Sequence, residues 1–250
     1  MTFSAPAQKL AAYASLSATE VGVMGALSEG RLQSYSRGRD IVLQGQSLKT
    51  MFIIVEGWAM RYKTLADGRR QILSFLVAGD VCDPYCFLLH KADHSIGTIT
   101  DVTTVTVDRG TMEDIVLAHP GLAKAMWVNA LVTASIQREW CVSIGQRTAF
   151  ERLSHLFCEM YSRLEVVGLA QEGRCAFPVN QYDLADATGM TAVHVNRVLQ
   201  ELRNRGLIQL QRPDLFIPDL IRLQTVALFD PLYLHPKPRE SDAREAMHEQ

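Results

Sequence analysis

Long apolar runs are missing from this chain. Stretches such as Met51–Val55 fall far short of the ~20 residues a helix needs to cross a bilayer, so no membrane partner is expected. The first residues lack a basic start followed by an apolar core and a small-residue cleavage site. That argues against a secretion signal and for a cytoplasmic protein. Cysteine is sparse: Cys82, Cys86, Cys141, Cys158 and Cys175, odd in number and scattered. This pattern excludes a disulfide framework and fits a reducing compartment. Charge of one sign is lacking too, with a net −2, so composition alone points to no nucleic-acid partner. No glycine-rich phosphate loop, nucleophile elbow or His-Glu-x-x-His helix occurs, and an enzyme is not expected. Internal repeats and low-complexity segments are absent as well.

What is present is an ordinary globular composition, 48% apolar and 21% charged over 250 residues, enough for two modest domains with their own cores. Residues 4–30 read as one or two short helices. From Leu32 the texture becomes β-prone, with runs at Asp40–Leu43, Met51–Val55, Ala59–Thr64, Gln71–Leu76 and Thr98–Val107. Gly38, Gly45, Gly57, Gly68 and Gly79 punctuate them, and Asp67-Gly68 is the strongest hairpin signal. An N-terminal roll of about eight short strands, jelly-roll-like, is the economical reading. The fold class is therefore α+β, with domains at 1–118 (roll and N-terminal helices), 119–145 (a long helix and hinge), 146–235 (a helical domain) and a disordered tail at 236–250.

Asp108 or Thr111 starts a short helix through Ala118, and Pro120 suits the first turn of the next. That second helix runs to about Ser143 without interior proline or glycine after its start. Leu122, Met126, Ala130, Thr133, Gln137, Trp140 and Ile144 fall on one stripe, while Leu131, Val132 and Ile136 leave much of the other side apolar. So wide an apolar surface needs partners on two sides. The roll is one; the same helix of a second subunit is the other, with that stripe as the expected dimer interface and Ser143-Ile144-Gly145 as a hinge. Burial inside a monomer is the alternative. Gln146–Val167 is a further amphipathic helix, and Gly168–Arg174 a polar connection.

The segment from Asn180 to Ile217 carries the chemistry. Asn180 caps a helix, Gly189 permits a left-handed stop, and Thr191 caps a second helix after a short turn. Two short helices so joined form a helix-turn-helix. At 100° per residue, Val195, Val198, Leu199 and Leu202 form a core stripe. Val193, Arg197, Gln200 and Asn204 point the opposite way, with His194 and Asn196 on the flanks. Arginine, amide and aliphatic groups on one face match the donors, acceptors and thymine methyls of base edges. Thr191 and His194, at the helix start, suit phosphate instead. Leu207–Gln211 and Leu215–Ile217 then make two strands around Arg212-Pro213-Asp214, a wing with Arg212 as phosphate clamp. From Thr191 to Arg212, four arginines (Arg197, Arg203, Arg205, Arg212) against Glu201 leave a local balance of +3, the footprint double-stranded DNA requires. An adaptor module working through protein contacts is the alternative, but it leaves such a groove face without purpose.

With these residues in view, the chain resembles the CRP/FNR family of bacterial transcription regulators from about Leu32 to Ile217. The match is carried by Gly38-Arg-Asp-Ile-Val-Leu-Gln-Gly45, by Met51-Phe-Ile-Ile-Val-Glu-Gly57, by Gly68–Asp80, and by Leu184-Ala-Asp-Ala-Thr-Gly-Met-Thr-Ala-Val-His-Val-Asn-Arg197. The resemblance implies a β-roll sensor, a dimerisation helix, a winged helix-turn-helix, a homodimer, and RNA polymerase as a further partner. Departures bear on the signal, which stays unknown. The stretch from Gly79 to Gly97 lacks the Gly-Glu and Arg-Ser/Thr pairs of members that bind cyclic AMP, so an anionic phosphate would go uncompensated. No N-terminal cysteine cluster exists for an iron–sulfur group. Val193 stands where many members use glutamate for cytosine, whereas Arg197 is retained.

Cys82, Cys86, His90 and His94 recur every four residues. On one continuous helix two thiolates and two imidazoles would suit zinc. Pro84 interrupts such a helix, and partly buried thiols with surface histidines are the plainer expectation. Metal or thiol-redox sensing is the alternative.

Overall fold

The structure, a computed structural model, describes residues 4–82, 89 and 91–235. Helices α1 (Ala5–Tyr13) and α2 (Ala18–Ser28) precede eight strands. These are β1 (Leu32–Tyr35), β2 (Asp40–Val42), β3 (Thr50–Glu56), β4 (Ala59–Thr64), β5 (Arg70–Leu76), β6 (Val81–Cys82), β7 (Ser95–Thr98) and β8 (Val102–Asp108). They form two antiparallel sheets, ordered β1-β8-β3-β6 and β2-β7-β4-β5. The Asp67-Gly68 turn joins β4 to β5, with Thr64 opposite Arg70. The expected run Thr98–Val107 is broken in two. Thr100 Oγ1 accepts from the Trp58 N–H at 2.9 Å and Asp101 accepts from the Arg37 N–H at 2.8 Å, which holds a turn between β7 and β8.

Next come α3 (Arg109–Ala118), α4 (Pro120–Gln146) and α5 (Ala149–Val166). Asp108 caps α3 by accepting from the Thr111 N–H at 3.0 Å. No single described helix is both long and apolar enough to cross a membrane. The expected hinge is corrected: α4 is helical through Ser143-Ile144-Gly145, and the chain breaks at Arg147, whose ψ of 142° is extended. Thr148 then caps α5 in a closed capping box with Glu151, the local signal that places the break there.

The expected dimer stripe is also corrected. Leu122 and Met126 are buried against α1, β3 and β8. Trp140 packs edge-on to Phe75 with centroids 6.0 Å apart and donates its Nε1 proton to Glu159 at 3.0 Å. Gln137 donates to the Leu73 carbonyl at 2.6 Å; Ala130 and Thr133 are half-buried, and Ile144 is exposed. From Leu122 to Trp140 that stripe faces the protein's own roll and α5; only its last member, Ile144, is exposed. Lys124, Trp127, Leu131, Ala134, Arg138, Cys141 and Gly145 form an exposed row along α4, alternately three and four residues apart, with Trp127 57% and Leu131 63% exposed; Val142 and Ile144 are exposed beside it near the helix end. A helix apolar almost all round hides its own orientation from periodicity.

The C-terminal part adds β9 (Ala170–Gln171), β10 (Arg174–Ala176), α6 (Gln181–Thr188), α7 (Ala192–Asn204), β11 (Gln209–Gln211), β12 (Asp214–Phe216), α8 (Leu220–Ala227) and a 3-10 turn, Pro231–Leu234. The wing is a four-stranded sheet ordered β11-β12-β10-β9, so the expected connection Gly168–Arg174 is instead a hairpin. Its turn needs Gly173: φ is +75° and a Cβ there would lie 2.3 Å from the Ile217 backbone oxygen. One continuous core joins the roll to this domain through Trp58, Phe75, Trp140, Phe157 and Phe177.

His155, on α5, lies beside that core, 2% exposed, its ring 5.0 Å from Phe229 and 5.7 Å from Tyr233. Burial first, and then the Arg147 charge, push its pKa down to about 3. The Glu139 carboxylate 3.4 Å away is already bound by Arg147 at 2.5 Å and does not hold a proton on the ring. The folded value lies below the unfolded ~6.5, so the unfolded chain takes up the proton first. This contribution to stability is complete above pH ~6.5 and is lost as pH falls toward 3. His155→Phe is expected to lose about 1–3 kcal/mol less than the parent between pH 7 and 4.5. Urea titrations at both pH values check this, and equal losses would contradict the buried neutral imidazole.

Candidate nucleic-acid interface

Local rules build the helix-turn-helix. The Asn180 side chain accepts from the Tyr182 and Asp183 N–H groups at 2.8 and 3.0 Å. Gly189, at φ +66° and ψ +32°, ends α6 in the left-handed region, which costs glycine nothing. Thr191 accepts from the His194 N–H at 3.2 Å and starts α7. Val195, Val198, Leu199 and Leu202 are buried, so burial alone fixes which side of α7 faces out.

That outer side holds the sequence candidates. Thr191, Val193, Asn196, Arg197, Gln200 and Asn204 are exposed, and His194 is half-buried. Val193 is 82% exposed, an unfavourable place for an aliphatic group that meets only water. Arg212 is exposed at the turn between β11 and β12, at the tip of the wing. Arg203 and Arg205 behave differently from the other basic residues. Arg203 donates to the Leu210 carbonyl at 3.2 Å and ties α7 to the wing. Arg205 pairs with Glu201 at 2.5 Å and covers the Phe150 ring at 4.6 Å. Arg197 and Arg212 make no ion pair with any described residue, so the charge available to phosphate and base is theirs. Arg174, exposed on β10 and stacked 4.1 Å from the Phe216 ring, adds a cation beside the wing. No sequence signal marks it, because residues 168–174 read as a polar connection and not as a hairpin.

The unit is fastened to the roll. Arg70 of β5 donates to Asp183 at 2.6 Å and to Asp186 at 2.7 Å, both on α6. Asp183 is thereby diverted from the reciprocal half of a capping box; its other oxygen takes the Asn180 side-chain amide.

The proposed metal or redox set is only partly visible. Cys86 and His90, with the rest of residues 83–88, lie outside the described residues, as does the expected tail at 236–250. Cys82 is buried on β6. His94, expected at the surface, is buried instead, with Nδ1 bonded to Asp93 at 2.7 Å and Nε2 accepting from Arg61 at 2.9 Å. The pairing polar groups are what bring it inside.

Comparison with known proteins gives two family models in chain order, a cyclic nucleotide-binding domain over residues 32–119 and a Crp-like helix-turn-helix domain over residues 151–226. The chain is 27% identical over 213 residues to a probable transcriptional activator of Rhizobium leguminosarum bv. viciae, covering 81% of this chain and 87% of that one. It is 25% identical to the transcriptional activator protein FnrL of Cereibacter sphaeroides, over 76% of this chain and 78% of the relative. The solved structure of FixK2 from Bradyrhizobium japonicum superposes with a TM-score of 0.70 at 25% identity, over 78% of this chain and 96% of that one. A β-roll, a long helix and a winged helix-turn-helix, with the two family models matched in that order and near full-length likeness to these regulators, make this chain a DNA-binding member of the CRP/FNR family of transcription regulators.

Proposed function

We propose that the outer face of α7 reads base edges in the major groove through Val193, Asn196, Arg197 and Gln200. Thr191, His194, Asn204 and Arg212 take the flanking phosphates. The observation that carries this reading is the sorting of α7: Val195, Val198, Leu199 and Leu202 are buried, while Asn196, Arg197, Gln200 and Asn204 are exposed on the other side. Arg197 is the base reader of first importance, since a guanidinium forks onto guanine O6 and N7. Arg197→Ala is expected to cost ~1–3 kcal/mol of discrimination between a selected duplex and a random one, with affinity for random duplex nearly kept. Titrations of both duplexes at one salt concentration check it. Unchanged selectivity would remove Arg197 from the groove.

The working species is a homodimer, paired in parallel through Lys124, Trp127, Leu131, Ala134, Arg138, Cys141 and Gly145. The alternating spacing of three and four is the a/d repeat of a two-stranded coiled coil, and this face of α4 is the one the roll leaves in solvent. A parallel pair sets two recognition helices about one DNA turn apart.

Regulation by something other than cyclic AMP is supported by two features. No arginine lies between Gly79 and Gly97 to meet a cyclic phosphate. The Asp80 carboxylate is already bound by Lys9, by Arg163 at 3.0 Å and by the Val77 N–H at 2.7 Å. An iron–sulfur cluster lacks its N-terminal cysteines. The relatives' description as transcriptional activators supports an activating role, with RNA polymerase as the further partner and no enzymatic step of the chain's own.

A further inference from the structure

Arg152 stands in the first turn of α5, half-buried, and no described carboxylate pairs with it. Its guanidinium is given over to backbone carbonyls. Nε donates to Ser143 at 2.9 Å, and Nη2 donates to Ile144 at 2.9 Å and to Arg147 at 3.0 Å. Nη1 donates to Thr188 at 2.5 Å. Ser143 and Ile144 lie in the last turn of α4, Arg147 is its C-cap, and Thr188 is the last residue of α6.

The last carbonyls of a helix have no partner within it and carry the negative end of its dipole. α4 ends without a glycine cap, on an extended Arg147, so its terminal carbonyls need an external donor. Arg152 supplies it, and with its remaining nitrogen reaches the end of the first helix of the helix-turn-helix. One cation thus closes the C-terminal ends of two helices from different parts of the chain. Its five N–H groups lie in a rigid plane, so the directions of the two helix ends are fixed relative to each other as well as joined. Arg70 holds the other flank of α6 by side-chain carboxylates, which can follow a movement by changing rotamer. Backbone carbonyls cannot.

We infer that Arg152 is a positioning residue for operator binding: it sets the angle at which the helix-turn-helix leaves the dimer helix, and hence the distance between the two recognition helices of a dimer. This rests on the reading of the α7 face and of the exposed α4 seam given above. A signal that turned the end of α4 would reach the recognition helix through this guanidinium without a flexible hinge.

The test is selection from a random duplex pool with the full chain, comparing the parent with Arg152→Lys and Arg152→Gln. Lysine keeps the charge and the aliphatic stem at a half-buried position, but a single ammonium cannot span four carbonyls in a plane. The parent is expected to recover paired half-sites at a single spacing. Both variants should recover the same half-site sequence, because Arg197 and its neighbours are untouched, but spread over several spacings. Their affinity for the parent's best duplex should fall at least ten-fold. A folded Arg152→Lys that keeps the single spacing, with affinity within two-fold, would overturn the proposal; should Arg152→Gln not fold, the lysine variant decides. Failure of the underlying readings shows separately in the parent: no common half-site sinks the α7 face, and half-sites without a fixed spacing sink the seam.

Discussion

Leu131→Glu is expected to separate the dimer into monomers and to weaken binding to a two-half-site duplex by 10²-fold or more. Leu131 is 63% exposed at the middle of the α4 seam, where each copy would bury it against its symmetry mate. Burying a leucine side chain is worth about 1.5–3 kcal/mol, and the change removes two of them. It also sets two carboxylates face to face in a site that excludes water, which costs further. A loss of roughly 3–6 kcal/mol is a factor of about 10²–10⁴ in the dimer dissociation constant. Sedimentation equilibrium measures it. Leu117→Glu is the control, since Leu117 is 82% exposed on α3 and off the seam; it should leave the dimer intact. A Leu131→Glu chain that sediments like the parent would place the interface elsewhere.

The second large effect is on stability. Phe177 is fully buried and meets Phe157 of α5 edge-on at 5.0 Å and Trp58 of the roll at 5.5 Å. Phe177→Ala leaves a cavity where the two halves of the molecule share one core, and should cost ~3–5 kcal/mol, a large part of an ordinary domain's ~5–15 kcal/mol. Because the core is continuous, roll and helix-turn-helix should lose stability together. Urea unfolding followed by tryptophan fluorescence and by helical circular dichroism would then give coincident transitions at a lower midpoint. A loss below 1 kcal/mol, or a lowered midpoint in one signal alone, would contradict a shared core.

Much of the recognition unit was legible because its determinants are local. Asn180, Gly189 and Thr191 are capping and stopping residues whose meaning depends on neighbours three or four positions away, and the structure uses each of them so. The aliphatic spacing of Val195, Val198, Leu199 and Leu202 fixed the outward face for the same reason. The Asp67-Gly68 hairpin was equally readable. What escaped depends on distant partners. α4 is apolar on nearly every side, so spacing could not say whether Trp140 or Leu131 faced outward; the roll and α5 cover Trp140 and leave Leu131 exposed. The apolar spacing ends α4 near Ser143, about one turn short of its observed end at Gln146, although Thr148 and Glu151 spell a capping box. Arg152 carries no sequence signal for its role, because its four acceptors are carbonyls, which every residue has. Arg203 and Arg205 counted toward a basic stripe in the sequence, while the fold employs them in the wing contact and on Phe150.

Photocrosslinking tests the outer face of α7 most directly. Val193 and Asn204 lie along that face, while Leu117 and Ile221 are exposed elsewhere. A photoreactive amino acid placed at each of the four positions of the full chain, irradiated with the selected duplex, should crosslink to bases from position 193 and to the duplex from position 204, with nothing from 117 or 221. Efficient crosslinks from 117 or 221, with none from 193, would mean that another surface meets the DNA.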